Sequence, residues 1–133
     1  MPTFKNLYIL IAEDDMDDAE IILQSFEAHP AFAKIEIVDN GKALLESLKN
    51  NPEKPDVILT DINMPIVNGM EALFEINTHE TLREIPAFVY STAINPIYEA
   101  QCKVLGTKGY LIKPADLDEF YKIPEKILQI LEA

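Results

Sequence analysis

Five short apolar runs rich in β-branched residues punctuate this sequence: Leu7 to Ala12, Ala33 to Val38, Val57 to Thr60, Ala87 to Ser91 and Tyr110 to Ile112. Such runs predict strands, and the stretches between them carry apolar residues at helical spacing. Ala19, Ile22, Leu23 and Phe26 fall at i, i+3, i+4 and i+7; Leu44, Leu45 and Leu48, then Met70, Leu73 and Phe74, repeat shorter versions. Ile97, Ala100 and Val104 mark a fourth helix, and Leu117, Phe120, Tyr121, Leu128 and Leu131 a fifth. Strand and helix alternating with short links predict a parallel sheet covered on both faces, because right-handed crossovers place the helices there. The expected class is α/β, doubly wound, with five strands and five helices.

Pro30, the NNPEKP stretch from Asn50 to Pro55, and Pro65 read as turn punctuation, too short to separate domains. One domain over residues 1–133 is expected, and a chain of 133 residues with 48% hydrophobic composition buries roughly two thirds of its unfolded surface. Pro124 falls inside the last helical pattern, where it removes a hydrogen bond and kinks or divides the helix. Gly69, Gly106 and Gly109 are expected at turns or helix ends that need permissive backbone angles.

A single cysteine, Cys102, allows no internal disulfide and no cysteine metal cluster, which favours a reducing compartment and a cytoplasmic location. The start, MPTFKN, lacks the features of a secretory signal. The longest apolar run falls far below the roughly 20 residues that span a bilayer. With 23 acidic against 11 basic side chains, the formal charge of −12 repels nucleic acid backbones and anionic lipid. Direct binding to nucleic acid or membrane is therefore not expected; the acidic excess fits solubility and partner selection equally well.

The chemistry gathers where the strands end. Glu13, Asp14, Asp15, Asp17 and Asp18 crowd the residues after the first run. Acids at the start of a helix are stabilised by its dipole and free N–H groups, and Asp17 and Asp18 read that way. Glu13 and Asp14 sit directly against the end of a strand, the edge at which open α/β sheets bind ligands. Adjacent carboxylates repel unless a cation neutralises them, and oxygen-only ligation suits Mg²⁺ or Ca²⁺. The third run, VILTDINMP from Val57 to Pro65, ends on Asp61, followed by Asn63. The fourth ends on Ser91 and Thr92, and the fifth runs into Lys113 and Pro114. Taken singly, each of these is an ordinary turn or surface residue.

Taken together, AEDD, LTDINMPIVNG, VYSTA and GYLIKP resemble the receiver domain of two-component response regulators, including the chemotaxis type, over essentially the whole chain. The thirty positions from Asp61 to Ser91 and the twenty-two from Ser91 to Lys113 agree with that family. The resemblance implies a flavodoxin-like sheet of order 2-1-3-4-5, with the first and third strands adjacent. It implies that Asp61 is the phosphoacceptor, that Lys113 and Ser91 assist it, and that Mg²⁺ is held by Glu13, Asp14, Asp61 and the backbone carbonyl of Asn63. Ser91 and Tyr110 are the implied switch pair, Thr92 and Pro114 flank the site, and the Lys113–Pro114 bond is cis in that pattern.

The implied partners are a histidine kinase or histidine phosphotransfer protein and a downstream protein target. The target reads a face built from residues 97–105, 109–112 and 116–131, and no output domain is expected within the chain. Thr92 stands where the family often carries a smaller residue, which narrows access to the phosphoryl group. Two other readings compete. Haloacid dehalogenase-like phosphatases want a second aspartate where Asn63 stands, together with a cap domain for which there is no room. A docking module that ignores phosphorylation has no need of the full set of site residues.

Overall fold

The computed structural model describes residues 4–132. Its strands are β1 (Leu7–Ala12), β2 (Phe32–Val38), β3 (Val57–Asp61), β4 (Ala87–Ser91) and β5 (Gly109–Ile112), and its helices are α1 (Met16–Glu27), α2 (Gly41–Asn50), α3 (Gly69–Asn77), α4 (Pro96–Leu105), α5 (Leu117–Phe120) and α6 (Ile123–Glu132). A 3₁₀ turn, Leu82–Glu84, precedes β4. All strand pairs are parallel, in the order β2-β1-β3-β4-β5, so β1 and β3 lie side by side as the flavodoxin-like order requires. Among the described residues no helix is long and apolar enough to cross a membrane.

The two-residue period of the strands sorts the core into two layers. Leu10, Ala12, Ile58 and Val89 face α2, α3 and α4, where Leu44, Leu48, Leu73 and Ile76 meet them. Ile9, Ile11, Val57, Leu59, Phe88 and Tyr90 face α1 and α6, meeting Ile22, Phe26, Ile127 and Leu128. Extending that alternation past the strand ends places Glu13 on the Ile9 and Ile11 face, Asp61 on the Val57 and Leu59 face, and Lys113 on the Leu111 face. These belong to one layer. Ser91 follows Val89, and Tyr110 packs against the other layer.

Capping starts the helices behind this edge. The side chains of Asp15, Asn40, Asn68, Asn95 and Asp116 accept from backbone N–H groups in the first turn of their helices. Asn68 and Glu71 form a reciprocal capping box.

The last helical segment is divided, as Pro124 predicts. α5 stops at Phe120, and α6 begins at Ile123, with Pro124 in its first turn where a missing N–H costs nothing. The stripe that marks α4 in the sequence faces outward, away from the core. Ile97 is 68% and Val104 85% exposed and Ala100 is exposed, whereas Cys102 is buried and Tyr98 and Leu105 pack on the core. Phe74 likewise lies outside, and Met70, Leu73 and Ile76 carry the α3 packing.

Two glycine expectations also change. Gly106 does take a left-handed angle at the end of α4. Gly69 is needed for space instead: a Cβ there would stand 2.0 Å from the Asp61 carbonyl oxygen. At Gly109 the tight neighbour is the Phe88 ring. No peptide bond among the described residues is cis, so Lys113–Pro114 is trans, the form X–Pro bonds favour by about 0.5–1 kcal/mol.

Candidate metal and phosphoacceptor site

Asp61 closes β3 and is 6% exposed. Its Oδ1 accepts from the N–H of Ile62 at 2.7 Å, which fixes the carboxylate plane, and its Oδ2 accepts from Lys113 Nζ at 2.9 Å. Lys113 follows the last residue of β5, and its own N–H donates to the Ser91 carbonyl, continuing the β4–β5 pairing. That ladder contact carries the ammonium to the Asp61 edge.

Lys113 Nζ reaches three acids from three parts of the chain. Beyond Asp61, it lies 2.8 Å from Glu13 Oε1 and 3.1 Å from Asp18 Oδ2. Burial by itself would lower the ammonium's pKa, but hydrogen bonds to Glu13 and Asp61 outweigh it and hold Lys113 above its ordinary range. Asp18 is the correction here. It does sit in the first turn of α1, with its N–H on the Asp15 side chain, yet its carboxylate also serves the site.

Glu13 is 1% exposed. Its Oε1 accepts from the Tyr90 hydroxyl at 2.5 Å as well as from Lys113, and its Oε2 accepts from the N–H of Asp15 at 3.1 Å. Burial raises its carboxyl pKa, against the opposing pull of Lys113, Tyr90 and Asp15. Tyr90 itself is held far above the usual phenol range, by burial first and by the Glu13 charge next. Sequence reasoning passed over Tyr90, because a tyrosine in an apolar strand reads as core. The available signal was its place on the Phe88 pleat, in register with Asp61.

Asp14 is exposed beside this pair, and Glu13, Asp14 and Asp61 each bring a carboxylate oxygen within 4.8 Å of the others. Three converging carboxylates, with Asp18 behind them and one ammonium among them, leave negative charge over. Such an all-oxygen set fits a hard divalent cation. On the other side of Asp61 an open cleft of about 430 Å³ is lined by Asn63, Ser91, Thr92, Ala93, Asn95 and Tyr110, among others. Ser91 is buried at its base, whereas Asn63 and Thr92 are exposed. The Tyr110 hydroxyl donates to the Ala93 carbonyl at 3.2 Å and accepts from the Asn95 N–H at 3.3 Å, tying β5 to the β4–α4 loop. Pro114 is half-buried behind Lys113.

A parallel 2-1-3-4-5 sheet with acids at the ends of β1 and β3 and a lysine past β5 defines a receiver-type phosphoacceptor module. The family profile described as response regulator receiver domain matches residues 9–124, and the chain belongs to that family, the phosphoacceptor switches of two-component signalling, whose members work with histidine kinases and downstream targets. Among curated proteins it is 31% identical to the probable methanogenesis regulatory protein FilR2 of Methanothrix harundinacea, over 90% of this chain and 79% of that one. It spans a quarter or less of the length of some other curated relatives.

Among solved structures it resembles the phosphorylated cyanobacterial phytochrome response regulator RcpA, with a TM-score of 0.86 and 29% identity over 93% of this chain and 92% of that one. The Mn²⁺-bound form of response regulator Rcp1 aligns with a TM-score of 0.81 and 27% identity, over 91% of each chain.

Proposed function

We propose that the chain is a phosphorylation switch in which Asp61 accepts a phosphoryl group from a histidine kinase or histidine phosphotransfer protein. The observation that carries this reading is the Lys113 ammonium seated among Asp61, Glu13 and Asp18, the charge arrangement a carboxylate needs before an anionic phosphoryl group can approach it.

An Asp61 carboxylate oxygen attacks phosphorus in line. The new P–O bond forms as the bond to the donor nitrogen breaks, and the electron pair leaves with the donor imidazole. The nucleophile carries no proton to remove, so no general base is required. The Ile62 N–H holds the carboxylate plane through Oδ1. Lys113 moves from Asp61 Oδ2 to a phosphoryl oxygen as a compact point charge, and Asp18 retains it on its far side. Glu13, Asp14, Asp61 and the Asn63 carbonyl would hold Mg²⁺, which when bound neutralises the phosphoryl oxygens.

The Ser91 hydroxyl then bonds the phosphoryl group from the cleft side. Ser91 leads directly into the loop that Tyr110 ties, so its movement shifts Ala93 to Asn95 and the start of α4. Ile97 and Val104 on α4, Ile112 on β5, and Leu117 and Tyr121 at α5 are exposed apolar residues on the face a target would read.

Intact mass after incubation with Mg²⁺ and acetyl phosphate tests the reading. The unaltered chain gains the mass of one phosphoryl group and Asp61→Asn gains none; an unchanged mass on the unaltered chain overturns it.

A further inference from the structure

Tyr90 is the penultimate residue of β4 and wholly buried, with Asp61 of β3 and Leu111 of β5 as its register partners. Its ring lies beneath the site, with Lys113 Nζ 5.0 Å from the centroid. Its hydroxyl reaches across to Glu13 Oε1, seventy-seven residues away in sequence. Phe88, two residues earlier on the same pleat, shows that a plain phenyl ring packs in this layer. The tyrosine oxygen therefore adds nothing to the packing that a phenylalanine lacks. What it adds is one directed hydrogen bond to a carboxylate that a buried hydroxyl must have.

Three donors hold Glu13, and they differ in kind. The Asp15 N–H is backbone, and holds Oε2. Lys113 is shared with Asp61 and Asp18 and is the group that must move when a phosphoryl arrives. Tyr90 alone is both a side chain and immobile, anchored by its strand and by full burial. With two donors already on Oε1, the lone pair that Oε2 does not give to Asp15 is the acceptor left for a cation or its water.

We propose that Tyr90 is a positioning residue of the cation site: its hydroxyl fixes the Glu13 carboxylate for a divalent cation while its ring supports the Lys113 ammonium. The inference rests on the cation-binding part of the proposed function. Partners of this kind, one bond behind a ligand, typically change metal affinity about 10–100-fold when removed. The chain contains its own comparison. The Tyr8 hydroxyl donates to Glu36 in the same way, away from the site, in a purely structural pair.

The test is calorimetric titration of the full chain with Mg²⁺ alone, without any phosphodonor. Tyr90→Phe is expected to weaken binding about tenfold, and Tyr8→Phe to leave it unchanged. In a Glu13→Gln background, Tyr90→Phe should cost no further affinity, because the carboxylate it positions is gone. Binding by Tyr90→Phe equal to the unaltered chain, or the same loss in both backgrounds, overturns the role. Absence of binding by the unaltered chain overturns the cation site and the role together, a result distinguishable from the first.

A second measurement needs no variant fold. In ¹³C-tyrosine-labelled unaltered protein, the Tyr90 ring-carbon resonance next to oxygen should shift with Mg²⁺ at the same midpoint as the calorimetric curve. A resonance that stays still across that titration overturns the proposal.

Discussion

Lys113 Nζ and Asp61 Oδ2 stand 2.9 Å apart although fifty-two residues separate them in sequence, and the same ammonium also closes on Glu13 and Asp18. The contact joins the two strand ends on which the proposed acceptor chemistry depends. It also makes Lys113 the main counter-charge of a buried acidic cluster.

Removing that counter-charge leaves Glu13 and Asp61 buried and unpaired. Lys113→Ala is expected to lose about 3–5 kcal/mol of stability, the usual cost of deleting one partner of a buried ion pair. On the proposed reading the folded cluster holds Mg²⁺ and the unfolded chain does not, so added Mg²⁺ should return part of the loss. Urea denaturation with and without Mg²⁺ measures both, and the Mg²⁺ increment should be larger for Lys113→Ala than for the unaltered chain.

Alkaline unfolding should be governed in part by Tyr90. Burial and the Glu13 charge raise its folded pKa well above the 10.0 of an unperturbed phenol. An acid with a raised folded pKa is stabilising below its unfolded pKa, and that contribution is lost as pH rises beyond it. Above pH 10 the unfolded chain releases this proton first, and stability should fall by about 1.4 kcal/mol per pH unit from Tyr90 alone. Tyr90→Phe removes that slope. Denaturant midpoints measured from neutral pH upward, with tyrosinate absorbance as the second signal, test the difference.

Ile66 is a β-branched residue at φ 69° and 73% exposed, in the loop between Asp61 and α3. A non-glycine residue held there costs about 1–3 kcal/mol, and so exposed a side chain returns little packing. Ile66→Gly should therefore raise stability by about 1 kcal/mol, the gain in backbone fit being partly offset by the freer unfolded chain. A shift of the urea midpoint with unchanged slope is the expected reading.

Gly69→Ala places a carbon 2.0 Å from the Asp61 carbonyl oxygen, which belongs to backbone and cannot swing aside. The loop must retreat, at an expected cost of about 3 kcal/mol. Because the Gly69 N–H also donates to the Ile62 carbonyl, the displacement reaches the peptide that orients Asp61. Acetyl phosphate labelling of Gly69→Ala should be slower than that of a comparably destabilised core variant elsewhere, such as Ile76→Ala.

Much of the arrangement was legible because strand ends announce themselves: β-branched runs stop against Glu13, Asp61, Ser91 and Lys113, and alternation with helices makes the sheet parallel. Pro124 likewise divides the last helix by a local rule. The orientation of α4 was not legible, because it carries two apolar stripes. Ile97, Ala100 and Val104 form one, and Tyr98, Cys102 and Leu105 the other; only packing decides which turns inward. Asp18 and Tyr90 were hidden for a related reason. Each satisfies a local preference, helix start and strand interior, and its reach to Lys113 or Glu13 depends on elements distant in sequence. The need for glycine at position 69 arises from an approach between backbones, which no composition records.

The pleat that assigns Glu13, Asp61, Tyr90 and Lys113 to one layer, and Ser91 and Tyr110 to the other, partitions the molecule into two workshops separated by a single sheet. Helices α1 and α6 back the first, and α2, α3 and α4 the second. Substitutions that retune the outward surface of α4 can therefore accumulate without disturbing the carboxylate cluster behind the wall. The short spans where Ser91 follows Tyr90 and Ile62 follows Asp61 belong to both rooms, and a change there is felt on both sides at once.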